Sequence, residues 1–270
     1  MSRPGKQAAA ARLAVAVQLV GSVCALLLAL SFTLLREGHF ALCLKKSGYL
    51  DTVHAAVLDT CSQYAAAIGT TADPLANAIT PDAVYAGVMH RADSLWHGST
   101  NDETDPFGSL ITTYQDTVAP EPPTYDGYRI LQYNCQMEWQ SAMATPFSAA
   151  LSMVLQYRGI VAIAMYLSGL LLMGCIALQY LLADRWRMFC SGLLRMADGC
   201  LGAGVILALW LTFGSGYRSW TVAGDIGYTL FCQWFGAFAP AVAGCAAAVS
   251  AVPVLLVLWV CAQFRRAKSA

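Results

Sequence analysis

Residues 159–183 read GIVAIAMYLSGLLLMGCIALQYLLA, a run without a single charged side chain and with Gln179 as its one large polar residue. At 1.5 Å per residue, about 20 mostly apolar residues suffice to cross the hydrocarbon core of a bilayer. The run is closed by Asp184, Arg185 and Arg187. Three more stretches of the same character lie around it. The first, 13–35, follows Arg3, Lys6 and Arg12 and stops at Arg36 and Glu37. The others are 196–214 and 236–264, the last running into Arg265, Arg266 and Lys268. It is longer than a perpendicular crossing needs, which predicts tilt or a kink at Pro240 or Pro253.

Composition agrees with four spans. The 270 residues are 57% hydrophobic and 12% charged, about half the charge of a soluble domain, and mean hydropathy is +0.53. Sixteen basic and sixteen acidic residues cancel. With no basic excess, nothing argues for nucleic acid. The first run exceeds the roughly 7–15 apolar residues of a secretory signal and lacks a small-residue cleavage site. We therefore read it as an uncleaved anchor.

Lys and Arg set the orientation, because short cytoplasmic segments carry the excess of both. Three fall in 1–12, three in 184–198 and three in 265–270. The segment 36–158 holds six, against thirteen Asp and Glu, for a formal charge of −7. The expected order is a cytoplasmic 1–12, span 13–35, an extracytoplasmic domain 36–158 and span 159–183. A cytoplasmic loop 184–195, span 196–214, an outer loop 215–235, span 236–264 and a cytoplasmic tail 265–270 follow. Both termini are then cytoplasmic, in a multi-pass protein of the plasma membrane. Tyr157, Trp186, Tyr217, Trp220, Tyr228 and Trp234 sit where aromatic belts occur.

The segment 36–158 is too long and too periodic for a plain loop. Leu50, Val53, Val57, Cys61, Tyr64 and Ile68 recur at steps of three and four, predicting a helix over 48–67 that Gly69 stops. Thr80, Pro81 and Asp82 predict a helix start: a hydroxyl cap, proline at the first position and an acid near the positive dipole end. That helix carries Val84, Val88 and Leu95 on one face and ends at Gly98. Asp105 and Pro106 repeat the signal before Leu110, Ile111, Tyr114 and Val118. A polar turn at 99–104 and a Pro-rich break at 119–126 separate the helices. A last helix starts near Asp126, with Pro146 as its break before the second span. The fold class is thus an all-α membrane protein, with four transmembrane helices and a small helical extracytoplasmic bundle between the first and second.

Candidate chemistry is sparse. His90, Asp93 and His97 lie on one side of the second predicted helix and make a metal-ligand set. They lie opposite Val84, Val88 and Leu95, where solvated residues belong in any amphipathic helix. Asp51 and His54 add a second pair on the preceding helix. Six of the ten cysteines fall in or beside spans, where cysteine packs as a small apolar residue. Cys43, Cys61, Cys135 and Cys232 lie outside, and four cysteines allow three pairings. Cys61 and Cys135 are the disulfide candidates, against a reading of all four as buried thiols. No C-x-x-C occurs, which leaves no zinc knuckle or thioredoxin-type pair.

Within the spans, Gln18, Arg195 and Asp198 are the polar exceptions. Arg195 and Asp198 read as interfacial anchors at the cytoplasmic start of span three, placed to pair with each other or to reach the headgroups. Gly236, Pro240, Gly244 and Ala248 form a small-residue row of the helix-packing type, facing Gly199, Gly202 and Gly204 or another subunit. No phosphate loop, nucleophile elbow, zinc-protease motif or dinucleotide fold is present. Neither a catalytic residue nor a cofactor is therefore expected.

The layout is shared with claudin-like four-pass proteins, but their Gly-Leu-Trp and paired-cysteine motif is absent. The passage from Leu44 through Lys45, Lys46, Ser47, Gly48 and Tyr49 to Leu50, the Gly69 break and the restart at Thr80, Pro81, Asp82, Ala83 and Val84 resemble uncharacterised four-pass membrane proteins of Gram-positive bacteria. That resemblance covers roughly 40–98 in pattern and implies no activity. The functional expectation is a non-enzymatic membrane protein whose acidic outer domain binds or senses an envelope partner, a peptide or a cation. The alternative is an auxiliary or permeation subunit of a transporter complex. The bilayer, a second membrane or envelope protein, or further copies of the chain are the partners.

Overall fold

A computed structural model describes residues 3–98, 106–117, 125–144, 148–183, 186–214, 216–219 and 225–269. The expected features at 99–104, 118–124, Asp105, Pro146, Asp184, Arg185 and Trp220 lie outside the described residues. Twelve α-helices follow in order: α1 Arg3–Phe32, α2 Glu37–Lys46, α3 Tyr49–Ala67, α4 Asp73–Ala78, α5 Pro81–His97 and α6 Leu110–Thr117. Then come α7 Tyr125–Ala142, α8 Ser148–Gln156, α9 Arg158–Leu182, α10 Trp186–Gly214, α11 Asp225–Gly236 and α12 Phe238–Ser269. No strand occurs among the described residues. Four stretches are long and apolar enough to cross a membrane: Ala11–Phe32, Ser148–Leu182, Trp186–Ser219 and Gly227–Phe264. The chain divides into two compact units, described separately below.

One unit comprises 1–36, 156–220 and 234–270, and so holds α1, α9, α10 and α12. Its helices are apolar on the outside. In α9 the buried residues are Ser168 and Gln179, while Tyr166, Leu170, Met173 and Leu181 are at least 65% exposed. A soluble helix does the reverse; a helix in hydrocarbon has no reason to hide leucine. The closest pairing, α10 with α12, depends on Gly204, where an added Cβ would fall on Ala246. Ala25 of α1 joins Cys200 and Ala246 in a buried cluster. Ser250 Oγ donates to the Ala197 carbonyl at 2.9 Å, and Gln18 Nε2 to that of Arg195 at 2.8 Å. Near the start of α10, Trp186 stacks on Phe189 at 5.3 Å and meets Tyr180 and Phe264 edge-on.

Two expectations change here. The small-residue row of α12 does not carry the contact with α10. Pro240, Gly244 and Ala248 are exposed, and nothing lies within 4 Å of a Cβ added to Gly244. Gly236 faces Tyr217 instead. Val242, Ala246, Ser250 and Val257 are among the residues buried on α12, in a row turned from the predicted one because Gly204 and Ala197 of α10 receive Ala246 and Ser250. The second change concerns α10, which starts at Trp186 rather than Met196. Arg195 and Asp198 consequently sit inside a continuous helix, and no ion pair joins them among the described residues. Asp198 lies about twelve residues, roughly 18 Å, from the Trp186 end.

The other unit comprises 37–155 and 221–233. Its centre is α3, which packs against α2, α4, α5 and α7. Tyr49, Val53, Val57, Cys61 and Ala65 form its buried row. Leu50, Tyr64 and Ile68 are half-buried, because steps of four select the inner edge of the wider apolar stripe. Gly69 takes a left-handed φ of 76° just beyond the helix and donates to the Ala66 carbonyl, which ends α3 where the sequence places its end. Thr80 caps α5 by accepting from the Ala83 amide at 3.2 Å, with Pro81 in the first turn. Gly98, with φ 67°, closes it.

Helix α5 buries Val84, Gly87, Val88, Ala92 and Trp96. Leu95 is only half-buried, since the Trp96 ring takes the inner position against Phe40 of α2, 5.3 Å away. Helix α7 buries Tyr128, Leu131, Cys135 and Trp139 at helical spacing. Polar ties close the unit: Tyr114 Oη donates to the Thr71 carbonyl at 2.9 Å, and Gln132 Nε2 to that of Phe107 at 3.0 Å.

Candidate functional site

The residues singled out in α5 behave differently from one another. The cap at Thr80 fixes where α5 begins, and so which of its residues face α2. Asp93 and His97, one turn apart, meet through a 2.6 Å bond between Oδ1 and Nδ1. A carboxylate at neutral pH can only accept, so Nδ1–H donates and Nε2 is left to accept or to ligate. Nε2 points toward Glu37 Oε2 at 4.0 Å. Glu37 is the first residue of α2, which places its carboxylate at the positive end of that helix. Glu37, Asp93 and His97 each offer a ligand atom, all within 4.8 Å of one another. His90, the third residue of the predicted set, is not in this group. Glu37 takes its place from α2, a helix outside those the sequence pattern predicts.

The chemistry of the group suits a divalent cation. A Zn–N or Zn–O bond is about 2.1 Å, so a 4.0 Å gap between Nε2 and Oε2 admits one ion touching both. Asp93, holding Nδ1–H, fixes the tautomer as outer carboxylates do for metal-binding histidines. The side chains of His97, Asp93 and Glu37 are 54%, 40% and 36% exposed, which leaves water to fill the remaining positions. The Asp51 and His54 pair does not form a site: Asp51 is exposed, and His54 Nε2 is hydrogen-bonded to the Ile79 carbonyl at 2.8 Å.

Cys61 of α3 and Cys135 of α7 are both fully buried, on two helices that pack against each other. The neighbouring Cys135 thiol, then burial, then the Glu138 carboxylate push the Cys61 thiol well above its ordinary pKa. Burial raises the Cys43 thiol against the opposing charge of Lys46, and Cys43 Sγ lies 3.5 Å from His39 Nε2. Burial also pushes the Tyr49 phenol up to about 12. All ten cysteines stand as free thiols in this structure.

In the helical unit of the spans, α10 and α12 leave a cavity of about 390 Å³ lined by Leu194, Ala197, Asp198, Leu201, Ala247, Ser250, Ala251 and Val254. Asp198 is its one charged lining residue, and the remainder is apolar apart from Ser250.

No protein-family model matches this chain, and neither curated proteins nor solved structures match it. Its resemblance to uncharacterised four-pass proteins thus stays one of sequence pattern, and the reading of function rests on the residues themselves.

Proposed function

We propose that this chain is a non-enzymatic, multi-pass plasma-membrane protein with both termini in the cytoplasm, whose acidic helical domain 36–158 lies outside and binds or senses a ligand, a divalent cation first among the candidates. The observation that carries the reading is the convergence of Glu37, Asp93 and His97 from two helices within 4.8 Å. The formal charge of −7 on 36–158 supports it by drawing cations and basic peptides to that face. The concentration of basic residues in 1–12, 184–198 and 265–270, nine of the sixteen, supports the orientation.

The test is calorimetric titration of the detergent-purified full chain with Zn²⁺ and with Ca²⁺, alongside His97→Ala and Glu37→Gln. Saturable binding near one ion per chain, weakened at least tenfold in each variant, is the expected result. Unchanged binding in both variants removes the cation reading.

A second reading, an auxiliary subunit of a membrane complex, is favoured by the cavity at Asp198. An ionisable side chain in a spanning helix commonly marks a functional contact. The exposed row Pro240, Gly244 and Ala248 on α12 offers a neighbouring helix a close approach. Gentle purification and mass determination distinguish the two: a stoichiometric second protein, lost in Gly244→Leu, favours the subunit reading.

A further inference from the structure

The cysteines of the 37–155 unit are not equivalent. Cys61 and Cys135 are 74 positions apart in sequence, yet are neighbours across the α3–α7 contact, each at 0% exposure. Cys43, the other buried cysteine there, is engaged by His39 from its own helix. Two rows, Val53/Val57/Cys61/Ala65 on α3 and Tyr128/Leu131/Cys135/Trp139 on α7, bring the pair together, so their meeting follows from the packing of the whole unit.

From this geometry we propose that Cys61 and Cys135 close an intramolecular disulfide that staples α3 to α7 in the exported protein. The proposal rests on the reading that 36–158 lies outside, where disulfides persist. Bond formation removes one proton and one electron from each thiol. The oxidant is a protein or small-molecule disulfide, whose own S–S bond breaks to two thiols after a mixed-disulfide intermediate. Full burial sets the timing. An oxidant cannot reach either sulfur in the packed unit, so the bond closes while α3 and α7 are still assembling, and reductants are excluded afterwards.

The experiment uses the full chain purified from native membranes with iodoacetamide present. Denatured without reduction and then alkylated with a heavier reagent, the protein is digested and its peptides are weighed. The expected result is a linked pair of peptides containing Cys61 and Cys135, both unlabelled until dithiothreitol is added. In Cys61→Ala, Cys135 becomes labelled without reduction. In native protein at neutral pH the link survives dithiothreitol, and it opens once urea is added. Full labelling of both cysteines before reduction, or linkage of either to Cys43 or Cys232, overturns the proposal. A parallel sample, reduced in urea and returned to detergent with glutathione disulfide, separates the two ways of failing. Closure there but not in native protein places the error in the outside assignment; no closure in either places it in the pairing. Reduction of the closed form is expected to lower the thermal midpoint by on the order of 10 °C.

Discussion

A glycine shows how far a single position constrains this molecule. Gly87 lies in the middle of α5, where glycine weakens a helix, but a Cβ there would meet Met143 Sδ at 2.7 Å and the Trp139 ring at 3.1 Å. The helix gives up propensity so that α5 can approach the end of α7 and the residue that follows it. Gly87→Ala is therefore expected to destabilise by about 1–3 kcal/mol despite its better helix propensity, read as a lower denaturant midpoint of the full chain in detergent. Tyr49 makes a second residue-level prediction. Burial holds its folded pKa at about 12, above the ordinary phenol value of about 10, so the native state holds its proton more tightly than the unfolded chain. This contribution is complete below about pH 10 and is lost as pH rises toward 12. Tyr49→Phe should flatten that alkaline loss in a melting series from pH 9 to 12. Neither effect is legible in the sequence, because Gly87 and Tyr49 owe their roles to what faces them.

At the scale of elements, boundaries written in local chemistry could be read and faces set by partners could not. Thr80, Pro81, Gly69 and Gly98 act within a few residues of their own positions, and each begins or ends a helix as its chemistry dictates. Replacing Thr80 by Ala should cost about 1 kcal/mol of stability, measurable by denaturant titration, whereas the same change at exposed Thr52 should cost less. The packed face of α12 is different. The row Gly236, Pro240, Gly244, Ala248 satisfies the spacing for close approach, yet Ala246 and Ser250 make the contact, since the receiving small residue, Gly204, lies on the other helix. Gly204→Leu is accordingly expected to disrupt α10–α12 packing and lower yield in detergent, while Gly244→Leu leaves the isolated chain's melting temperature unchanged. The metal-ligand set divides the same way. Asp93 and His97 share one helix and were visible as neighbours; Glu37 joins them only through the α2–α5 contact.

For the whole molecule, charge distribution and apolar length make the strongest joint statement. Four apolar stretches and a 36–158 segment carrying thirteen acids against six bases stand in the sequence itself, and the helical architecture follows from the same periodicities. The proposed orientation leads to a direct expectation: a cysteine introduced at exposed Asp82 should react with a membrane-impermeant maleimide in intact cells, and one introduced at Ser269 should react only after permeabilisation. The reverse pattern would invert the topology.

Ser168 and Gln179 are separated by eleven positions, three full turns, and so lie on nearly the same line along α9. Gln179 fills the space that a Cβ on Gly192 would need. In water a helix is told which way to turn by its greasy side; among lipid tails every side is equally welcome. This pair of polar side chains acts as a key cut along one edge of an otherwise uniform rod, and Gly192 is the keyway. The consequence is that the seat of Gln179 at Gly192 gives α9 a preferred rotational setting against α10, on the edge that also buries Ser168.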